Sequence, residues 1–169
     1  MKRRFLAVAA TGFLIFTNSC LFAGENTAPS PNGIAFPEAY KDWRLISSSH
    51  RTDNNTLRVI VGNDIAVKAA RNGETKPWPE GSILGKLIWK DSVDSEWEDA
   101  TVPGDFVHSE FMVKESVRYR TTGGWGYARW IGMEKKPYGI DSSSGQVCYE
   151  CHMAVEENDY VFSHPVTLP

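Results

Sequence analysis

The chain is poor in cysteine: only three of its 169 residues, at positions 20, 148 and 151, are cysteine. No second CxxC and no HxxxH accompany them, so a closed zinc site is short of ligands. If Cys20 leaves with a leader segment, no structural disulfide remains, and stability rests on core packing and any bound group. There is no basic surplus either, since 18 Lys and Arg face 21 Asp and Glu, which argues against nucleic acid as a partner. The one apolar run, Phe5 to Phe16, is too short to cross a bilayer comfortably as a mature helix. Internal repeats and low-complexity blocks are absent, which excludes solenoid and array architectures.

The apolar run belongs to an export signal. Met1-Lys2-Arg3-Arg4 is a basic start, and Ala23-Gly24 supplies small residues at a plausible cut. Together these describe a secretory signal peptide over residues 1–23. A retained anchor is the alternative, and Ser19-Cys20 admits a lipid-modified cysteine, although Thr17-Asn18 suits that motif poorly. Removing 23 residues from 169 leaves 146, enough for one domain with one core. Three basic residues leave with the signal, so 15 then oppose 21 acidic ones and the net charge becomes −6. The expected location is periplasmic or otherwise exported. Residues 24–35, with Pro29, Pro31 and Gly33, read as a flexible leader, and residues 36–169 as one domain.

What the two late cysteines do follows from their spacing. In Cys148-Tyr149-Glu150-Cys151-His152 two thiols stand two residues apart with histidine directly after, the attachment pattern of a c-type haem. The thiols add to the two vinyl groups of one macrocycle, and the adjoining imidazole is brought to the iron. A thioredoxin-like redox pair would not require the histidine. Cys148, Cys151 and His152 are therefore the expected haem-binding residues, with His152 as metal ligand and one covalent haem c per chain. The single methionine after the motif, Met153, adjoins the ligand and is badly placed to reach the opposite side of the iron. One coordination position then stays open, which favours ligand chemistry over pure electron transfer.

Upstream, Pro37 sits where a first helical residue belongs, with Tyr40 and Trp43 on one side at i,i+3. Leu45 to Ser49 and Leu57 to Val61 read as strands around the polar turn Thr52–Asn55. Asn63 or Asp64 caps a short helix carrying Ile65, Ala66, Ala69 and Ala70, which ends at Gly73. Lys76 to Ser82 holds two prolines and a glycine and cannot be regular. Ile83 to Lys90 is a strand, Asp91 to Gly104 a long exposed connection, and Phe106 to Lys114 ambiguous between helix and strand. Val117–Arg120 and Trp125–Met133 read as strands, Pro137–Gly145 as a loop. The haem motif then opens a helix, and Tyr160 begins an extended tail. The class is α+β, mainly β: an antiparallel sheet with a few short helices packed around a covalently bound haem.

Lys86 is the second candidate. It shares a strand face with Leu84 and Ile88, which suggests a half-buried amine whose neutral form is nucleophilic. On pattern alone the better reading is a lysine that snorkels to water at a sheet edge. Trp125-Gly126-Tyr127-Ala128 leaves one strand face nearly bare; that face is either a haem-pocket wall or a packing surface for small residues. Phe106 and Phe111 could cap the iron. His50, His108 and His164 have no partner spacing and read as surface histidines.

Phe36-Pro37 to Trp43, the Asp64–Gly73 helix, Trp78-Pro79-Glu80-Gly81-Ser82 leading to Lys86, and the late Cys148–His152 motif together resemble the cytochrome P-460 family. The resemblance implies a small, largely antiparallel periplasmic haem protein, often homodimeric. In the enzymatic members a lysine side chain is bonded to a meso carbon of the haem, and hydroxylamine is oxidised with nitric oxide as intermediate or co-substrate. The related cytochromes c-prime-beta share the fold, lack the cross-link and bind nitric oxide. Lys86 falls where the cross-linking lysine is expected, with Lys90 as fallback if the register is off by four. A carboxylate a few residues ahead of the haem motif corresponds loosely to Asp141, which could take protons from hydroxylamine or be an ordinary loop residue. The implied partners are hydroxylamine or nitric oxide and a soluble redox protein; a plain electron carrier is the remaining reading.

Overall fold

The computed structural model describes residues 27–169. The expected signal peptide and Cys20 lie outside these residues. A 3₁₀ turn, Glu38–Asp42, precedes strand β1 (Arg44–Arg51), strand β2 (Thr56–Gly62) and helix α1 (Asp64–Asn72). Strands β3 (Ile83–Val93) and β4 (Thr101–Lys114), a 3₁₀ turn (Arg120–Thr122) and β5 (Trp125–Ile131) follow. The short β6 (Lys136–Pro137) leads to helix α2 (Ser144–His152) and a last 3₁₀ segment, Met153–Asn158. The six strands form one sheet in the order of the chain, and every pair is antiparallel. The expected mainly-β α+β class is the fold observed. Among the described residues no helix is long and apolar enough to cross a membrane.

Local chemistry accounts for most boundaries. The Asn63 side chain accepts the Ala66 N–H and caps α1, and Gly73 ends the helix at φ 73°, where a side chain would be strained. Asn63 also accepts the Ile83 N–H and donates to the Gly81 carbonyl, so one side chain ties α1 to the entry of β3.

The sheet has a core on each face. On one, Ile46, Ile60, Leu84, Trp125 and Tyr127 pack under α1, Trp78 and Val161. On the other, Phe36, Phe111, Ala128 and Trp130 meet edge to face, the Phe36 and Trp130 centroids lying 5.1 Å apart.

Several expectations are corrected. The long connection over Asp91–Gly104 is half strand: β3 runs on to Val93, β4 begins at Thr101, and residues 94–100 alone connect them. Register shifts at Ile88/Trp89 and Trp89/Asp91 break the alternation there, which hid the strand. Val117–Arg120 is turn rather than strand, closed by Tyr119 N–H to Glu115 O. From residue 27 on, the leader is fastened to the sheet: Trp130 Nε1 donates to Ala28 O, Asn32 Nδ2 donates to Tyr127 O, and Ile34 is buried. The haem motif closes α2 instead of opening a helix.

Candidate functional site

Helix α2 lies against β5. Its last turn carries the motif. Cys148 packs against the larger core, whereas Cys151 is exposed, and both thiols are free. Burial pushes the Cys148 thiol above its ordinary value, against the pull of the Arg129 charge. The His152 ring sits 5.0 Å from the Tyr127 ring and 5.0 Å from the Phe162 ring. Its Nδ1 lies 2.6 Å from the Tyr160 carbonyl, which can only accept, so Nδ1 carries the proton and Nε2 keeps its lone pair. Burial lowers the His152 pKa, which favours the neutral, ligating form. An imidazole held through one nitrogen and open at the other is arranged as a metal ligand.

Beside this helix the sheet carries a transverse row of polar side chains. Strand register aligns Lys86 on β3 with Glu110 on β4, and Glu110 with Arg129 on β5. Glu110 pairs with Lys86, with Arg129 Nη2 at 2.5 Å, and with His108 Nε2 at 3.1 Å. Burial alone would raise the Glu110 carboxyl. The His108 hydrogen bond and the charges of Lys86 and Arg129 outweigh it and hold the group well below the carboxylate range.

The row forms the floor of an open cleft of about 360 Å³. Five cationic side chains line the cleft, from Arg51, Arg58, Lys86, Lys90 and Arg129, and a single carboxylate, that of Glu110. Arg129 also borders a separate small recess lined by Cys148 and Tyr127.

The sequence-assigned residues fall unevenly on this site. Cys148, Cys151 and His152 sit together at the end of α2, and Lys86 faces the same side of the sheet, with 30 % of its side chain exposed. Lys90 lines the far part of the cleft. Asp141 does not enter the cleft: it is exposed on the turn before α2, and its Oδ1 accepts both the backbone N–H and the hydroxyl of Ser143. Those two bonds lower its pKa. The bare face of β5 also points elsewhere, since Gly126 lies under the Tyr119 ring and Ala128 joins the opposite core; the bulky face, through Tyr127, meets the motif. Phe111 is buried in that opposite core and Phe106 packs on Trp89 at 5.5 Å, so neither borders the cleft. His50 is partly exposed and bonded to Asp91, but His108 is only 17 % exposed and belongs to the Glu110 cluster.

The linear pattern did not single out Glu110, His108 or Arg129. His108 and Glu110 alternate on β4, as neighbours on one strand face do, and that spacing was the available signal.

The family model for Cytochrome P460 matches residues 37–163, three quarters of the chain and all of the sheet. The chain belongs to the cytochrome P460 family. No curated protein matches its sequence. Membership makes it a haem protein, and the site suits that group. Two free thiols and an oriented imidazole stand at one end, the Tyr127 hydroxyl beside the imidazole is buried without a partner, and so are Arg129 Nε on β5 and Arg58 Nε farther along the same sheet face.

Proposed function

We propose that this cytochrome P460 is an exported mono-haem c-type cytochrome that oxidises hydroxylamine or nitric oxide. Cys148 and Cys151 would hold the haem through thioether bonds, His152 Nε2 would ligate its iron, and Lys86 would supply the additional link to the macrocycle. When bound, the haem supplies an iron able to coordinate a small nitrogenous ligand and to pass its electrons to a soluble redox partner. The observation that carries the reading is the placement of Lys86 on the sheet face next to α2, in one row with Glu110 and Arg129.

The residues of the row have separable tasks. Glu110 stays anionic and accepts the His108 Nε2–H, which leaves Nδ1 as the nitrogen of this cleft-lining residue able to take a proton. Oxidation of hydroxylamine must release protons, and this pair, rather than exposed Asp141, is the base within the cleft. Replacing Asp141 by alanine is expected to leave turnover intact.

One observation favours a second reading, a nitric oxide-binding protein without turnover. Lys86 is ion-paired with Glu110, and an ammonium held by a carboxylate is not a nucleophile. Proteolysis of the mature protein followed by mass measurement of the haem peptide separates the two. The enzyme reading requires the Lys86 peptide to travel with the Cys148–His152 peptide; separate fragments leave the binder. The mature protein is further proposed to act as a homodimer.

A further inference from the structure

We propose that Arg58 on β2 is the recognition site for the propionate carboxylates of the haem. The inference rests on the haem reading given above. Arg58 is half-buried, and among the described residues it joins no ion pair. Its Nε and that of Arg129 are buried and unpartnered. Of the other cleft charges, Glu110 is committed to Lys86, Arg129 and His108, and Arg51 to Asp53, while Lys90, which joins no ion pair among the described residues, is an ammonium without a guanidinium's two-pronged fork. A guanidinium drawn out of water with no acceptor is costly, and a carboxylate accepting two of its N–H groups removes that cost.

Haem c brings two carboxylates and little other charge at its periphery. They lie on the edge of the macrocycle opposite the vinyl-derived carbons that the cysteines hold. A ring fastened at α2 and lying along the sheet from β5 would carry its carboxylates toward β2. Strands β5 and β2 are separated by three strand spacings, roughly 14 Å, a span within reach of a porphyrin with extended propionates. Arg58 stands at that far side, in the register row of Ile88 and His108.

The test compares the haem-loaded wild type with Arg58→Gln and Arg58→Lys. Removing the positive charge is expected to lower the midpoint potential, because ferric iron is then less disfavoured. It should also make the potential pH-dependent between pH 5 and 8, as a propionate without its guanidinium protonates at higher pH. The propionate bending band in the resonance Raman spectrum should shift. Arg58→Lys, which keeps the charge and loses the fork, should restore the potential while the band stays shifted. If Arg58→Gln takes up no haem, the lysine variant alone carries the test through that band. Full haem content with unchanged potential, pH profile and Raman band in both variants overturns the assignment. So does a saturable optical shift on adding nitrite to the wild type that is lost in Arg58→Gln, since the guanidinium then serves a free oxyanion. Absence of covalent haem in the wild type, read by pyridine haemochrome, overturns the haem reading itself and this assignment with it.

Discussion

Lys114 and Asp159 form an ion pair in the protein interior, with Nζ 2.7 Å from Oδ1 and 2.9 Å from Oδ2. Asp159 Oδ2 also accepts the Trp78 N–H at 2.8 Å, and the Lys114 ammonium lies 4.9 Å from the Trp125 ring centroid. The next residue, Tyr160, provides the carbonyl that orients His152. The pair thus pins the turn behind His152 to the end of β4.

Breaking one partner of this pair leaves a buried charge without compensation. Asp159→Asn keeps the acceptor for Trp78 and suits the left-handed backbone at φ 52°, yet it strands the Lys114 ammonium. The expected loss is about 3–5 kcal/mol in urea unfolding. The double variant Lys114→Met/Asp159→Asn should be more stable than the single one. A single variant as stable as wild type would contradict the pairing.

Acid should act through Glu110. Its folded-state pKa lies below the ordinary 4.5, so the stability it contributes is complete above that pH and is lost as pH falls further. Unfolding free energy of the haem-free chain should therefore drop more steeply below pH 4.5 in the wild type than in Glu110→Gln. At neutral pH the variant should be the less stable of the two, because Lys86 and Arg129 lose their shared partner. Parallel pH profiles would count against this account.

Gly126 is a site of close approach. A Cβ there would stand 2.4 Å from Tyr119 Cζ and 2.9 Å from Ile34 Cδ1. Gly126→Ala should destabilise by about 1–3 kcal/mol through overpacking, while Gly73→Asn, at a helix end with open space around it, should cost far less. Thermal unfolding of the two variants side by side measures the difference.

Asn63→Ala removes a helix cap together with the bonds to Gly81 and Ile83. The cap alone is worth about 1 kcal/mol and each further bond roughly as much, so a loss near 3 kcal/mol is expected. Amide hydrogen exchange should accelerate in α1 and at the start of β3 together. Acceleration confined to α1 would show that the cap is the whole of its contribution.

Where a local rule decides an element, the sequence was readable. Asn63 and Gly73 bracket α1, β-branched alternation marks β2, and the CxxCH spacing gathers three site residues into one helical turn. Where tertiary contacts decide, it was not. Val117–Arg120 has strand composition, but Tyr119 is drawn under Gly126 and the chain turns instead. The bulges in the β3–β4 pairing blurred the period of two that would have marked β4. Glu110 matters because residues from three strands meet at it, and linear spacing holds no record of that meeting.

The sheet order has a consequence in time. Each strand pairs with the one made just before it, and α2 follows them all. A chain emerging N-terminus first can zip hairpin by hairpin, at low contact order, while the thiols are still to come. The early Ala28 is clasped only once Trp130 arrives, so the finished platform announces itself at both ends of the chain just ahead of Cys148 and Cys151. Any chemistry at those two thiols is then the closing event of biogenesis, carried out on a surface whose shape has already been decided.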